Sequence, residues 1–308
     1  MQVSGKVLVC DEIDRRGIEI MKKSGLSVDY RPEIKTDEII HEKDYDVLVV
    51  RSRTKVTKEI IDANPKMKII ARVGVGLDNV DVSYANSKNI QVINAEAAAV
   101  NAVAELVVGL MLSLARNLPI ADASMKNGKW LKNELKGIEL KGKYLGIVGV
   151  GKIGRRIGRI ARGFGMNLFG YDVVPVDQQF AREVGLVTTD LDTLLSSSDF
   201  VTLHVPLTDG TRHMINEGRL NLMKKTAFII NTSRGNVIDE RALYRALKEG
   251  RIAGAALDVF EVEPPTNNEL IRLSNVVCTP HIGAQTVEAQ ELAANVIAEK
   301  IIQMLKEL

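Results

Sequence analysis

The 308-residue chain is long enough for two domains, each with its own hydrophobic core. Its 41 basic and 39 acidic side chains leave a net charge of +2, which argues against nucleic acid or an anionic membrane as a partner. Two cysteines, Cys10 and Cys278, are too few for a disulfide framework, and the N-terminal apolar run is too short for a signal peptide, so we expect a cytoplasmic protein.

Short apolar runs alternate with helical patterns along the chain, which is typical of an α/β protein. A first series of predicted strands covers residues 6–10, 26–30, 47–50, 69–72 and 91–94. A second series covers residues 145–148, 168–172, 186–188, 200–204, 227–231, 255–258 and 276–278. Runs such as FIIN and GIVG are apolar throughout, as expected for parallel strands buried on both faces. The pattern predicts two doubly wound parallel sheets.

Two further segments, residues 97–116 and 286–308, are predicted to form helices with apolar faces. Residues 97–116 are apolar on nearly all sides, which favours a buried or interface helix over a membrane span. The polar segment 119–130 follows it and carries the single tryptophan, Trp130, so it could be an arm that reaches a second subunit of a homodimer. Residues 286–308 place their apolar side chains on one stripe, so this helix must pack against another element.

Residues 144–154, YLGIVGVGKIG, run from an apolar strand into the pattern G-x-G-x-x-G at Gly149, Gly151 and Gly154. These glycines would allow a tight turn, the approach of a pyrophosphate and close packing of the next helix, although a plain strand-to-helix turn has the same pattern. Asp172 ends the following strand, at the distance expected for a carboxylate that binds the adenosine ribose. Because Asp172 would repel a 2′-phosphate, the sequence predicts NAD rather than NADP.

Several polar residues that follow strands could carry out chemistry. Of the four histidines, His204 and His281 follow apolar strands, so either could carry a proton, or either could be a structural imidazole bonded to a backbone carbonyl. Arg234 follows another strand, and its planar guanidinium suits a carboxylate. Glu263 lies in the loop EVEPP, and Asp258 could accept a bond from a carboxamide or stabilise a turn.

The ordered motifs GVGKIG, YD at Asp172, LHVPLT, NTSRGNVID, LDVFEVEP and TPHIGA resemble those of the D-isomer-specific 2-hydroxyacid dehydrogenases, over essentially the whole chain. The resemblance implies that Arg234, Glu263 and His281 are the catalytic set. His281 would move the hydroxyl proton while a hydride passes between C2 of the hydroxy acid and nicotinamide C4. Glu263 would stabilise the protonated imidazole, and Arg234 would hold the substrate.

The resemblance also implies the cofactor contacts and the domain plan. The NAD contacts would be Gly149, Gly151, Lys152, Ile153, Gly154, Asp172, His204, Val205, Pro206, Thr232, Ser233, Arg234, Asp258, His281, Gly283 and Ala284. No metal is expected. Residues 1–96 with 286–308 would form a discontinuous substrate-binding domain, and residues 97–285 the NAD-binding Rossmann domain, with the active-site cleft between them.

The segment R-S-R-T at residues 51–54 follows a predicted strand and could bind an anion. Two guanidiniums and two hydroxyls would suit a phosphate better than an aliphatic side chain. An ordinary basic surface loop without a ligand would have the same sequence pattern. The predicted substrate-binding residues are Arg51, Ser52, Arg53, Gly74, Val75 and Gly76, the last two of which would offer backbone N–H groups to the carboxylate. The segment is similar to that of family members acting on 3-phosphoglycerate, so we expect oxidation of D-3-phosphoglycerate to 3-phosphooxypyruvate, in serine biosynthesis.

Two alternatives remain open at this stage. A glyoxylate or hydroxypyruvate reductase, or a D-lactate dehydrogenase, would use the same catalytic set without a phosphate site. An NAD(H)-sensing scaffold, like the corepressors that share this fold, would need no turnover, and the presence of Arg234, Glu263 and His281 argues against it. Longer relatives carry C-terminal domains that bind serine, and no such segment follows residue 308, so we expect no serine feedback.

Overall fold

A computed structural model describes residues 3–307 of the chain. The strands are β1 (Lys6–Val9), β2 (Ser27–Tyr30), β3 (Val47–Val50), β4 (Ile69–Arg72), β5 (Gln91–Asn94), β6 (Tyr144–Val148), β7 (Asn167–Tyr171), β8 (Leu186–Thr188), β9 (Phe200–Leu203), β10 (Phe228–Asn231), β11 (Gly254–Leu257) and β12 (Val276–Cys278). The α-helices are α1 (Arg15–Lys23), α2 (Thr36–Ile39), α3 (Lys58–Ala63), α4 (Val82–Ser87), α5 (Val100–Arg116), α6 (Leu118–Lys126), α7 (Lys152–Gly163), α8 (Gln178–Val184), α9 (Leu191–Ser197), α10 (Glu217–Leu222), α11 (Glu240–Lys248) and α12 (Val287–Glu307).

The chain divides into two compact units. Unit 1 comprises the described residues up to Val100 together with those from Ala284 onward, and unit 2 comprises Asn101–Gly283. The division falls a few residues from the boundaries expected from the sequence, and it places Ala284, an expected NAD contact, in unit 1.

Unit 1 is a five-stranded sheet of order β2-β1-β3-β4-β5, with every pair parallel, which is the flavodoxin-like arrangement. Strand β3 is buried along its whole length, because its alternate side chains enter the two cores on opposite faces of the sheet. Helix α12 packs on α1 at Gly17, where an added Cβ would lie 2.8 Å from the carbonyl oxygen of Ala294. The apolar stripe of the last helix therefore covers a face of this unit.

Unit 2 is a seven-stranded sheet of order β12-β11-β10-β9-β6-β7-β8, also parallel throughout. Read from β8, the strand order is the Rossmann pattern. Strands are added outward from β6 in one direction and then, starting with β9, in the other, so the order of the strands reverses between β6 and β9. Open α/β sheets bind ligands outside the carboxyl ends of their strands at this point of reversal. The fold therefore places the candidate site at the ends of β6, β9 and their neighbours.

The predicted fold class is confirmed, and the sheet pattern agrees with the sequence in detail. Strands β3, β4, β5, β8 and β12 have the predicted bounds, and each of the others differs by one residue at one end or both. Helix α5 begins at Val100 because residues 96–99 form a turn. No single helix within residues 3–307 is long and apolar enough to span a membrane; α5 and α6 pass such a test only together, and the chain bends by 66° between them.

Candidate active site

The residues that the sequence singled out in unit 2 follow six neighbouring strands at one edge of its sheet. Across the sheet, from β7 to β12, these residues are Asp172 after β7, Gly149 to Gly154 after β6, His204 to Pro206 after β9, Thr232 to Arg234 after β10, Asp258 and Glu263 after β11, and His281 and Gly283 after β12. Since all of these strands are parallel, their carboxyl ends meet at the same edge. The sheet order therefore brings together residues that are more than a hundred positions apart.

The glycine-rich turn after β6 needs glycine at two positions for steric reasons. Gly149 has a positive φ of 94°, and a Cβ there would lie 2.5 Å from the carbonyl oxygen of His204. A Cβ on Gly154 would lie 2.2 Å from the carbonyl oxygen of Gly149, so any side chain would push α7 away from the turn. Around Gly151, by contrast, the described residues place no atom within 4 Å of an added Cβ, so this side of the turn is open.

This arrangement fits a bound dinucleotide. Helix α7 begins at Lys152, directly after the open position at Gly151, and a helix N-terminus attracts a pyrophosphate. Asp172 is held in place because its two oxygens accept from the N–H groups of Val150 (2.8 Å) and Val174 (3.0 Å), and each oxygen retains a lone pair for a ribose hydroxyl. Within residues 3–307 the buried Oγ1 of Thr232 has no hydrogen-bond partner, as expected of a group that meets a ligand.

His281 and Glu263 form a direct pair. Nδ1 of His281 lies 2.8 Å from Oε2 of Glu263, and Oε1 of Glu263 accepts from the N–H of Phe260 at 3.1 Å. The two side chains are 53% and 39% exposed, so a substrate can reach them. Because Nδ1 is bonded to the carboxylate, Nε2 is the ring nitrogen left to exchange a proton with a substrate.

Asp258 holds the loop that carries His281. Its Oδ1 accepts from Thr279 Oγ1 (2.6 Å) and from the N–H of Ile282 (2.8 Å), while Oδ2 accepts from the N–H of Gly283 (2.8 Å). These bonds stabilise His281 in the left-handed region, with φ of 54°, which is costly for a residue other than glycine. Asp258 is buried and its carboxylate stabilises this turn, which is one of its two expected roles, while its expected contact with the carboxamide of NAD stays a prediction.

The loop of Arg234 lies directly against the loop of Glu263. Asn231, the last residue of β10, accepts from the N–H and the hydroxyl of Ser233 and donates to the carbonyl of Arg234 at 2.9 Å. At Gly235 an added Cβ would lie 1.9 Å from the carbonyl carbon of Phe260 and 2.3 Å from the nitrogen of Glu261. Gly235 therefore sets the distance between two of the expected catalytic residues.

His204 does not suit the role of proton carrier. Burial lowers its pKa to about 3, and Nε2 is bonded to the hydroxyl of buried Thr202 at 2.8 Å. The imidazole is therefore neutral at physiological pH, and its partner is the hydroxyl of Thr202 rather than the backbone carbonyl that the structural alternative expected. The carbonyl oxygen of His204 is the atom that leaves no room for a side chain at Gly149. Val205 and Pro206 continue the loop beyond β9.

In unit 1, residues 51–54 were expected to bind an anion together, and this prediction is wrong for Arg53 and Thr54, whose side chains bind Asp11 instead. Buried Asp11 accepts from the N–H of Arg51 (2.5 Å) and from the hydroxyl of Thr54 (2.6 Å), and it pairs with Nη2 of Arg53 at 3.0 Å. Arg53 also donates to the carbonyls of Cys10, Pro32 and Ile34. Its guanidinium therefore neutralises a buried carboxylate and ties the loop to unit 1.

Arg51 and Ser52 remain at this loop as candidates for an anion. Arg51 Nη2 donates to Gln285 Oε1 at 2.9 Å, which is a neutral acceptor, and Ser52 is exposed. Arg72 ends the neighbouring strand β4, and sequence reasoning did not select it. An added Cβ on Gly74, whose φ is 149°, would lie 1.7 Å from Nη1 of Arg72, so this glycine makes room for the guanidinium.

The loop of residues 74–76 is held to unit 1 through its carbonyl groups. The carbonyl of Gly74 accepts from the N–H of Ala95 at 2.8 Å, and that of Val75 accepts from Asn94 Nδ2 at 2.6 Å. In the described part of the chain no group of three or more His, Cys, Asp or Glu side chains is placed to hold a metal ion.

Comparison with known proteins identifies the family. Residues 108–283, more than half of the chain, match the model of the NAD-binding domain of D-isomer-specific 2-hydroxyacid dehydrogenases. The chain belongs to this family. The bound group that unit 2 fits is therefore NAD, and the family is one of NAD-dependent oxidoreductases.

Similar members of the D-2-hydroxyacid dehydrogenase family carry different substrate names. The D-3-phosphoglycerate dehydrogenase of Methanocaldococcus jannaschii is 48% identical over 98% of this chain and 57% of its own length, so the chain spans little more than half of that relative. The hydroxypyruvate reductase of Thermotoga maritima is 47% identical over 97% of this chain and 98% of its own. The D-lactate dehydrogenase of Aquifex aeolicus, solved with NAD and lactic acid, has a TM-score of 0.85 and 32% identity, covering 98% and 96% of the two chains.

Proposed function

We propose that unit 2 catalyses hydride exchange at C2 of a D-2-hydroxy acid, with His281 as the proton carrier. The bond between His281 Nδ1 and Glu263 Oε2 is the main support for this proposal. The bond orients the imidazole ring, and the negative charge of the Glu263 carboxylate favours the imidazolium that forms during oxidation. The cofactor, when bound, would accept the hydride at nicotinamide C4 as NAD⁺ in oxidation and supply it as NADH in reduction. Nε2 of His281 takes the hydroxyl proton in oxidation and returns it in reduction, while Arg234 holds the substrate so that C2 faces the ring.

We propose D-3-phosphoglycerate as the substrate, oxidised to 3-phosphooxypyruvate. Two arginines of unit 1 lie at the ends of neighbouring strands: Arg51 directly follows β3, and Arg72 is the last residue of β4, where it pairs with Val50. Guanidinium groups are the residues best suited to a phosphate or carboxylate. The names of the relatives from Methanocaldococcus jannaschii and, at 44% identity, Archaeoglobus fulgidus also favour this substrate.

Arg51→Ala should raise the KM for 3-phosphooxypyruvate by about 10- to 100-fold, because a charged hydrogen bond to an anion contributes about 1.5–3 kcal/mol. The KM for glyoxylate, which has no phosphate, should change far less. Lys55→Ala is the matched control, since it removes an exposed positive charge from the same segment. Arg53→Ala should change stability and leave the ratio of the two KM values as it was. Equal effects of Arg51→Ala on both substrates would contradict a phosphate role.

A hydroxypyruvate reductase is the second candidate. The Thermotoga maritima enzyme of that name matches over nearly the full length of both chains, and the engagement of Arg53 with Asp11 leaves fewer groups for a phosphate than R-S-R-T suggested. A panel of 3-phosphooxypyruvate, hydroxypyruvate, glyoxylate and pyruvate, each followed by NADH oxidation, separates the candidates by kcat/KM. Undetectable turnover of every substrate with tight NADH binding would support the scaffold alternative instead.

We propose that the chain forms a homodimer through the segment that follows α5. Leu118, Ile120, Met125 and Trp130 are exposed here, and Trp130 is 74% exposed although it is large and apolar. Ile120 also lines an open cavity of about 370 Å³ on the same segment. Sedimentation velocity should give the mass of a dimer, and Trp130→Ser should shift the equilibrium toward the monomer. A wild-type monomer at micromolar concentration would refute the proposal.

A further inference from the structure

A second group of carboxylates lies next to the catalytic pair, within unit 2. The N–H of Glu240, the first residue of α11, donates to Oε1 of Glu261 at 3.2 Å, and Oε1 of Glu240 accepts from the N–H of Glu261 at 2.7 Å. The bond pattern is that of a helix capping box, but its two partners are 21 positions apart in the chain. Oε2 of Glu240 accepts from Nδ2 of Asn268 at 2.7 Å. One carboxylate thus holds both ends of the loop that contains Glu263.

The bonds of Glu240 lie one residue away from those that orient Glu263. Phe260, whose N–H holds Oε1 of Glu263, directly precedes Glu261. A shift of the backbone at Glu261 would therefore move the Phe260 N–H and Glu263 together, and with them the bond to His281 Nδ1. Gly235 also contacts this backbone, and it sterically limits the approach of the backbone to the Arg234 loop but does not pull it into place.

The position of Glu240 is electrostatically costly, which argues for a function beyond packing. Burial and the neighbouring charges of Glu261 and Glu263 raise the pKa of Glu240. Nε2 of His213 lies 2.9 Å from Oε1 of Glu261 without hydrogen-bond geometry. Asn236 also supports this loop, since it donates to the carbonyl of Glu261 and accepts from Arg212 and from the N–H of His213.

We propose that Glu240 is a positioning residue for the reaction: through its reciprocal bonds with Glu261 it sets where the carboxylate of Glu263 meets His281. The inference rests on the proposed catalytic role of Glu263. Glu240 itself contacts Glu261 and Asn268, so its effect on turnover passes through the loop.

Glu240→Ala should lower kcat by about 10- to 100-fold with little change in the Kd for NADH, because a small displacement of a catalytic group has effects of this size. Glu240→Gln keeps an acceptor oxygen for the Glu261 N–H and should restore kcat to within about threefold of the wild type. Glu217→Ala is the matched control: Glu217 is an acidic residue in the first turn of α10, and its side chain pairs with Arg245 and Arg251. Its kcat should equal that of the wild type.

The decisive measurement is a double-mutant cycle with Glu263→Gln. If Glu240 acts through Glu263, adding Glu240→Ala to Glu263→Gln should lower kcat by no more than about twofold. Multiplicative effects in the double variant, or a loss of Tm in Glu240→Ala with unchanged kcat, would overturn the inference and leave Glu240 a purely structural residue. An unchanged kcat in Glu263→Gln alone would instead refute the proposed catalytic role of Glu263, and the positioning role with it.

Discussion

His281→Asn is expected to lower kcat by about 10²–10⁴-fold, the range that a positioned general acid–base contributes. Asparagine has no group that exchanges a proton near neutral pH, so the hydroxyl proton would have to pass to water. The loop should keep its conformation, because asparagine adopts the left-handed backbone of residue 281 more readily than most residues do, and Asp258 still holds both sides of the turn. NADH oxidation with the preferred 2-oxo acid measures the effect.

The control for His281→Asn is His41→Asn, which replaces an exposed histidine of unit 1 and should leave kcat unchanged. Fluorescence titration should give the same Kd for NADH in His41→Asn and the wild type. In His281→Asn the Kd should change far less than kcat does, since His281 is only one of the expected NAD contacts and acts mainly on the substrate proton. Glu263→Gln should lower kcat less than His281→Asn does, because the carboxylate acts through the ring. If His281→Asn retained more than about a tenth of the wild-type kcat, another group would have to carry the proton.

The strand pattern could be predicted from the sequence because parallel strands buried on both faces are apolar along their whole length. The placement of Arg234 and His281 followed from the same pattern, since polar residues shortly after such strands meet at one sheet edge, whereas Glu263 lies further along the loop that follows β11. The contact between His281 and Glu263 was expected only from the family resemblance, because it depends on the path of two loops and not on spacing.

Arg53 illustrates the limit of reasoning from spacing. The guanidiniums of Arg51 and Arg53 were expected to act together on one anion because both come directly after a predicted strand. The strand ends at Val50 as predicted, but the loop after it folds around the buried carboxylate of Asp11, which needs a cation. The sequence around Asp11 gives no sign of this demand, because it arises only when β1 and β3 lie side by side.

The glycines of unit 2 also divide into those whose role could be predicted from a local motif and one whose role depends on a contact distant in the chain. Gly149 and Gly154 were recognised because their pattern has a known steric meaning. Gly235 follows the expected catalytic Arg234, but its requirement comes from the backbone of Phe260 and Glu261, and no local pattern reveals that contact. A glycine directly after a candidate catalytic residue is a signal that could have drawn attention to it.

Gly235→Ala is expected to be among the most damaging single substitutions in unit 2. The added Cβ would lie 1.9 Å from the carbonyl carbon and 2.1 Å from the carbonyl oxygen of Phe260, and backbone atoms cannot turn aside as the end of a side chain can. Separating the loops should cost about 1–3 kcal/mol of unfolding free energy, the usual effect of overpacking. Because Glu263 and Arg234 lie on the two separated loops, kcat should fall by about 100-fold at temperatures where the variant remains folded.

Gly163→Ala is the matched control, since it adds the same methyl group at the end of α7, where the described residues leave at least 4 Å of open space. It should leave kcat unchanged and alter stability by no more than about 1 kcal/mol, in the direction of a gain, because alanine is the better helix former. Urea unfolding and kcat measured side by side separate the two consequences of Gly235→Ala. A variant that loses stability but keeps wild-type kcat would show that the spacing of the two loops does not control catalysis, whereas a loss of kcat exceeding the folded fraction supports that control.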